Sequence, residues 1–301
     1  MARRLCALVL SSLLCVGSSL VRAQQPSYIT PDARTQIFVE WGKPIEPFRI
    51  VGNIYYVGSQ NIGIYLLTTP AGHILLDSGI SMMQSQILPH VEKLGFKPSD
   101  IKILLSTHAH VDHVQGHAVM KRMTGAQVMA MSEDAKALES GTDLSPIGFE
   151  GWEPVKVDRV LKDGDTVALG GTTLKAIWTP GHTPGCTTWT TTVEEGGRSY
   201  NIAMACGVGP NPGPPLIGNT RHPRIVEDTL ATVKKLRALN PDMLLPGHPQ
   251  QVFAGKIDRV RAGDRPHPLL LEAGAWSRQV DAQETAFMKR LDDEKARRAA
   301  K

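Results

Sequence analysis

Short apolar runs rich in Ile, Val, Leu and Tyr recur through the first half of the chain, each bounded by glycine or proline. Arg49–Val57, Gly63–Thr69 and His73–Asp77 read as strands on this pattern. Ser81 is expected to cap a helical stretch toward Leu94. The unbroken apolar run Ile101–Ser106 predicts a buried strand. Gln127–Met131 predicts another, and Ser132–Glu139 a short helix capped by Ser132. In the second half, Val155–Val160, Thr166–Leu169, Thr172–Trp178, Thr187–Val193 and Tyr200–Ala205 predict strands. Asp163-Gly164 and Gly170-Gly171 sit between them as turns. Ile225–Leu239 places Ile225, Leu230, Val233 and Leu236 on one helical face. Met243–Leu245 predicts a last short strand, and the segment from about Pro268 to Ala300 reads mainly as helix. Strands with interspersed helices, twice over, predict two packed sheets covered by helices on the outside.

No linker, repeat or low-complexity run divides this pattern. The 301 residues can bury an ample core, and 42% hydrophobic content excludes a disordered chain, a collagen and a coiled coil. The first residues stand apart from the rest. Arg3 and Arg4 precede an apolar stretch, Leu5–Leu14, that is too short to span a bilayer. Val21-Arg22-Ala23 then resembles a signal-peptidase site. Residues 1–23 are therefore expected to be a secretory signal peptide, with 24–301 a single domain acting in the periplasm. Removing Arg3, Arg4 and Arg22, with no acid, takes the formal charge from +4 to +1. A near-neutral chain gives no basis for binding nucleic acid or, in the mature form, an anionic membrane. A monomer is expected. Of the four cysteines, Cys6 and Cys15 leave with the signal. Cys186 and Cys206 remain, either paired or free.

The histidines carry the candidate chemistry. Ser106-Thr-His-Ala-His-Val-Asp-His-Val-Gln-Gly116 gathers His108, His110, Asp112 and His113 directly after an apolar strand. A loop at a strand's end can aim alternate side chains at one point, so His108 and His110 can face one ion and Asp112 and His113 a second. Imidazole and carboxylate suit zinc or another divalent first-row metal. His182, in Thr179-Pro-Gly-His-Thr-Pro-Gly185, and His248, in Leu245-Pro-Gly-His-Pro249, sit in stiff turns that follow strands. His73, His90, His117, His222 and His267 lack such a setting; His117 is expected on a helix surface.

The His-x-His-x-Asp-His loop with the later His182 and His248 resembles the metallo-β-lactamase superfamily. Trp41, Pro44, the segment from Pro47 to Gly58, Val155–Asp165, Thr179–Trp189, Asn211-Pro-Gly213 and Gly218-Asn219 are similar to class B β-lactamases of the third subclass. The likeness runs from about Phe38 to His267 and implies a four-layer αββα sandwich. It implies two zinc ions, one on His108, His110 and His182, the other on Asp112, His113 and His248. It further implies opening of the β-lactam ring of penicillins, cephalosporins and carbapenems by a metal-bridging hydroxide that Asp112 orients. Asp77, at a strand end, is a candidate support for the ligands. Trp41, and Phe149 in the loop Gly141–Pro154, are candidate walls of the substrate pocket.

The chain departs from the subclass after Ala205, where Cys206-Gly-Val-Gly209 replaces a stretch with a substrate-binding Ser. Gly207 and Gly209 can offer only backbone N–H groups to a substrate. Cys206 is weighed as a seventh ligand and as a buried inert thiol, and Cys186 as a packing residue. A lactonase or thioesterase of the same superfamily is the alternative reading, and a metal-binding homologue without turnover a third.

Overall fold

The computed structural model describes residues 31–300, so the expected signal peptide lies outside the described residues. The chain opens with helix α1 (Pro31–Trp41) and enters a seven-stranded sheet. Its strands are β1 (Phe48–Val51), β2 (Ile54–Tyr56), β3 (Tyr65–Thr69), β4 (Gly72–Leu76), β5 (Ile101–Leu105), β6 (Gln127–Met131) and β7 (Arg159–Leu161), side by side in chain order. β1 to β4 pair antiparallel and β4 to β7 parallel. The parallel half needs crossovers, and these are α2 (Gln84–Lys93), α3 (Val111–Val114) with α4 (His117–Thr124), and α5 (Ser132–Ser140). A second, five-stranded sheet holds β8 (Thr166–Leu169), β9 (Thr172–Trp178), β10 (Thr187–Glu195) and β11 (Arg198–Met204) as an antiparallel meander. β12 (Met243–Leu244) joins it parallel to β11, after helix α6 (Ile225–Arg237). Helices α7 (Gln250–Phe253), α8 (Ile257–Arg261) and α9 (Ala275–Ala299) complete the chain.

Alternation along the strands explains the layering. Tyr65 and Leu67 of β3, Ile74 and Leu76 of β4, and Ile103 and Leu105 of β5 point between the sheets, where they meet Leu174, Trp189, Ile202 and Met204. Leu66, Leu75, Leu104 and Val128 point the other way and pack on Ile87, Val91, Val114, Ala118 and Leu138 of the helices. Each such fully buried Leu contributes about 2 kcal/mol of transfer free energy. The second sheet is covered outside in the same way, Ala203, Ala205 and Leu244 packing on Val233, Leu236, Trp276 and Val280. These are the four layers, α-β-β-α, that the sequence predicts.

Several boundaries differ from expectation. Arg49–Val57 is two strands, because Gly52 adopts φ 54° and turns the chain into a hairpin. A Cβ there would also lie 2.9 Å from Val193, so the turn sits tight on the second sheet. Ser81 opens a single 3₁₀ turn, and α2 begins only at Gln84. Ser132 lies inside α5, whose cap position is Met131; Glu133 supplies negative charge to its first turn instead. The strand expected over Val155–Val160 starts at Arg159, since the Val155 N–H is spent on the Leu138 carbonyl at the end of α5. The C-terminal helix starts at Ala275, after Leu270 has bridged to Met243. Among the described residues no helix is long and apolar enough to cross a membrane.

Candidate active site and metal centre

The site lies where the ends of β5, β9 and β12 approach one another. β5 ends at Leu105, and the loop after it presents His108 and His110 before α3 turns Asp112 and His113 inward. The rings of His108, His110 and His182 meet edge to face, with centroids 4.6–4.7 Å apart. The second cluster adjoins it, His113 lying 4.1 Å from His108 between centroids. Asp112 Oδ2 is 3.3 Å from His113 Nε2 and 3.1 Å from His248 Nε2, and the two imidazole nitrogens are 3.5 Å apart. Within each triplet the ligand-type atoms all lie within 4.8 Å of one another.

Four of the five rings are oriented through their other nitrogen. His113 Nδ1–H donates to Asp77 Oδ2 at 2.9 Å, His182 Nδ1–H to the Gly209 carbonyl at 3.3 Å, and His248 Nδ1–H to the Asn61 carbonyl at 3.1 Å. Thr107 gives its hydroxyl proton to Asp77 Oδ2 (2.8 Å), so it accepts from His108 Nδ1–H at 3.1 Å. The Nε2 atoms of these four rings are thereby turned toward the two clusters. His108 Nε2 and His110 Nε2 are buried without a hydrogen-bond partner, which is rare for buried polar atoms. A divalent cation would complete His108 Nε2. The donor set, five imidazoles and a carboxylate with no thiolate, suits zinc.

Electrostatics agree with that fit at the first triplet, while at the second a metal would have to displace a proton from His113. Burial, then the neighbouring His113, His110 and His182, holds His108 well below the usual imidazole range. Burial and His110 do the same to His182, so both rings are neutral and able to ligate. Burial opposes the charge of Asp112, but His113 and His248 outweigh it and hold the carboxylate well below its ordinary range. Burial would depress His113 too; Asp112 and Asp77 on either side reverse this and raise it to about 10.

Four of the six, His110, Asp112, His182 and His248, floor a cleft of about 420 Å³. Ile37 and Trp41 of α1 form one wall, Ile147, Phe149 and Asp143 of the loop over residues 141–154 another, and Asn211 and Pro212 a third. Trp41 and Phe149 meet edge to face at 6.5 Å, with Phe38 beside both. No Lys or Arg stands among the lining residues.

The profile of the metallo-beta-lactamase superfamily matches residues 60–248, which span the β2–β3 connection through the last of the six ligand-type side chains. The chain belongs to the metallo-β-lactamase superfamily. Among solved structures, BJP-1, a subclass B3 metallo-β-lactamase of Bradyrhizobium japonicum, is 38% identical, with 85% of this chain and 97% of that one covered and a TM-score of 0.78. The FEZ-1 metallo-β-lactamase of Legionella gormanii is 35% identical over 84% of this chain and 98% of that one, with a TM-score of 0.80. Among curated proteins, a "Probable metallo-hydrolase" of Burkholderia pseudomallei is 32% identical over 127 residues. The match covers 40% of each chain, so this chain spans about two fifths of the length of that relative. Proteins named hydroxyacylglutathione hydrolase match over stretches of 97–180 residues, the longest, that of Haemophilus influenzae, at 26% identity over 58% of this chain and 79% of that one. The fold and the site are those of an enzyme of the superfamily, and these relatives are hydrolases by name.

Within that fold the structure revises several readings. Gly207 and Gly209 do not line the cleft. They pack behind His182, where a Cβ on Gly207 would fall 3.1 Å from the ring and the Gly209 carbonyl accepts its Nδ1–H. Cys206 is neither a ligand nor a free thiol: it is joined to Cys186 in a disulfide with Cα atoms 5.9 Å apart. Cys186 is thereby part of a cross-link rather than simple packing. His117 is not on a helix surface but wholly buried, 2.7 Å from the Ser78 hydroxyl, and burial brings it down to about 3. Trp41 and Phe149 do stand in the cleft wall.

Sequence reasoning missed Asp134. This buried residue of α5 accepts from Ala109 N–H (2.8 Å), Thr183 Oγ1 (3.2 Å) and Gly185 N–H (3.0 Å), tying the loop of His108 and His110 to the turn of His182. Burial pushes it up to about 7. It also missed Asp143, whose carboxylate accepts from the N–H groups of Ser145 and Phe149 and so shapes the loop that carries Phe149. Nothing in their sequence neighbourhood distinguishes either from a surface acid.

Proposed function

We propose that this chain is a periplasmic zinc β-lactamase that opens the β-lactam ring of penicillins, cephalosporins and carbapenems, and so confers antibiotic resistance. The observation that carries this reading is the pair of adjoining ligand triplets on the floor of a cleft with apolar walls, in a chain that aligns with nearly all of two β-lactamases. His108, His110 and His182 would hold one zinc, and Asp112, His113 and His248 the other. Two zinc ions held so closely supply Lewis-acid polarisation of a carbonyl and a water nucleophile deprotonated near neutral pH.

The protein's own groups do the rest. Asp112 is kept anionic by His113 and His248, so one of its oxygens can ligate while the other takes a proton from the attacking water. It then returns that proton to the leaving nitrogen. Asp77, Thr107, Gly209 and Asn61 fix the rings, so that no reorganisation is needed when charge develops. Trp41, Phe149, Ile37 and Ile147 bind apolar ring substituents and keep bulk water from the reacting amide. The disulfide supports export, since such bonds persist in oxidising compartments. The enzyme acts as a monomer on a small molecule.

A lactonase or thioesterase activity is less well supported. At the end of β11, where such relatives carry a metal-bridging Asp, this chain has Cys206, and its sulfur is spent in the disulfide. Mature zinc-loaded protein should be assayed against a penicillin, a cephalosporin and a carbapenem, with an acyl-homoserine lactone and a thioester as comparators. The proposal expects the β-lactams to be turned over preferentially and a chelator to abolish the reaction. Turnover of a comparator alone would replace it.

A further inference from the structure

The bond between Cys186 and Cys206 stands directly behind a ligand. Cys186 closes the turn that carries His182, its carbonyl accepting the Thr179 N–H at 2.8 Å. Cys206 follows β11 and begins the stretch whose Gly209 carbonyl accepts the His182 Nδ1–H. The register of β10 with β11 ends at the pair Trp189↔Met204, so both cysteines lie beyond the ladder. Past that point the second segment is Cys206-Gly-Val-Gly209, with Gly209 at φ 80°. Two glycines make this stretch pliable. The cross-link is what keeps it against the turn: Cys186 Sγ lies 3.7 Å from the Gly207 carbonyl, and Gly207 packs on the imidazole.

We propose that the Cys186–Cys206 disulfide is a positioning element for the first metal site. By holding the Gly209 carbonyl behind His182 it selects the Nδ1–H tautomer and aims Nε2 toward His108 and His110. The hydrogen bond is long, 3.3 Å, so a displacement of a few tenths of an ångström would break it. The second site does not depend on this link. His113 takes its orientation from Asp77 and His248 from Asn61, both on segments of the first-sheet half of the chain. The effect is therefore specific to one triplet, and the inference rests on the two-zinc reading above.

The test is the variant Cys186→Ser/Cys206→Ser, with Cys186→Ala/Cys206→Ala as a second version should serine perturb this buried place. Metal-free protein is titrated with zinc against a chromophoric chelator, and His182→Ala identifies which binding event belongs to the first site. Imidazole ¹H–¹⁵N spectra of the metal-free protein report the His182 tautomer. Affinity at the first site is expected to fall about 10- to 100-fold, the usual effect of losing a partner behind a ligand, while the second changes less than about twofold. The His182 tautomer should become mixed. Unchanged first-site affinity with an unchanged tautomer overturns the proposal. So does equal weakening of both sites, which would make the bond a general staple. A parent chain that takes up fewer than two zinc ions would sink the two-zinc reading, and this inference with it; an unaltered zinc capacity in the parent with an unaltered variant sinks this inference alone.

Discussion

Asp77 Oδ2 accepts a 2.9 Å hydrogen bond from His113 Nδ1–H, with both side chains wholly buried beneath the cleft. Asp77 also stands at φ 66°, a backbone region that few non-glycine residues occupy, at the end of β4. Its other oxygen takes the Thr107 N–H at 2.7 Å, and so one carboxylate braces the start of the ligand loop as well as the ring. Asp77→Ala is expected to weaken zinc at the second site about 10- to 100-fold. Zinc content after dialysis should fall toward one equivalent. Two equivalents held as tightly as in the parent would contradict the role.

Asp134 leads to a prediction about pH. Its folded value, about 7, lies above the ordinary carboxylate value of 3.8. The folded chain thus binds the proton more tightly than the unfolded one. Stability from this group is fully present below about pH 4 and is lost as pH rises through about 7. Asp134→Asn keeps a neutral side chain at all pH and should be less stable than the parent at pH 5, because Asn cannot accept from all three donors. The gap should narrow by pH 8. Thermal unfolding of metal-free protein across that range checks this, and a gap that widens with pH would refute it.

How far the sequence alone could go is visible in these two residues. Asp77 was within reach, since it ends an apolar run and precedes a turn. Asp134 was not, because its partners Ala109, Thr183 and Gly185 come together only when α5 packs between two loops far apart in sequence. The same division runs through the fold. His108, His110, Asp112 and His113 were legible because four ligand-type residues share six positions. The strands were legible from apolar runs, but their ends were decided by long-range bonds such as Val155 to Leu138. Helix α1 escaped notice, since Ile37, Phe38, Val39 and Trp41 crowd its end without a helical period, yet it supplies a wall of the cleft. The fate of Cys186 and Cys206 depended on the register of β10 and β11, which spacing does not reveal.

Trp41→Ala and Phe149→Ala should act on binding rather than on chemistry. Each ring offers apolar area to the cleft, and its loss is expected to cost about 1–2 kcal/mol, a rise in KM of about 5- to 30-fold. Zinc content should stay at the parent's level. The two rings touch, so the double variant should fall short of the sum. A fall in kcat with KM unchanged would show that the wall reading is wrong.

Arg290 of α9 secures the third wall from behind. Its guanidinium donates to the carbonyls of Pro210 (3.1 Å), Asn211 (2.8 Å) and Pro214. Arg290→Ala leaves three carbonyls short of a donor and is expected to cost about 1–3 kcal/mol. Tm should drop by several degrees and KM should rise. Full retention of both would show that the loop of Asn211 and Pro212 holds its shape unaided.

If the two triplets hold two zinc ions that together open a β-lactam ring, activity must follow the metal. Metal-free mature protein is titrated with zinc while carbapenem hydrolysis is followed. Activity is expected to appear with added zinc, level off at two equivalents and be lost on chelation. No β-lactam turnover at any zinc concentration, by a folded chain that binds the metal, would contradict it.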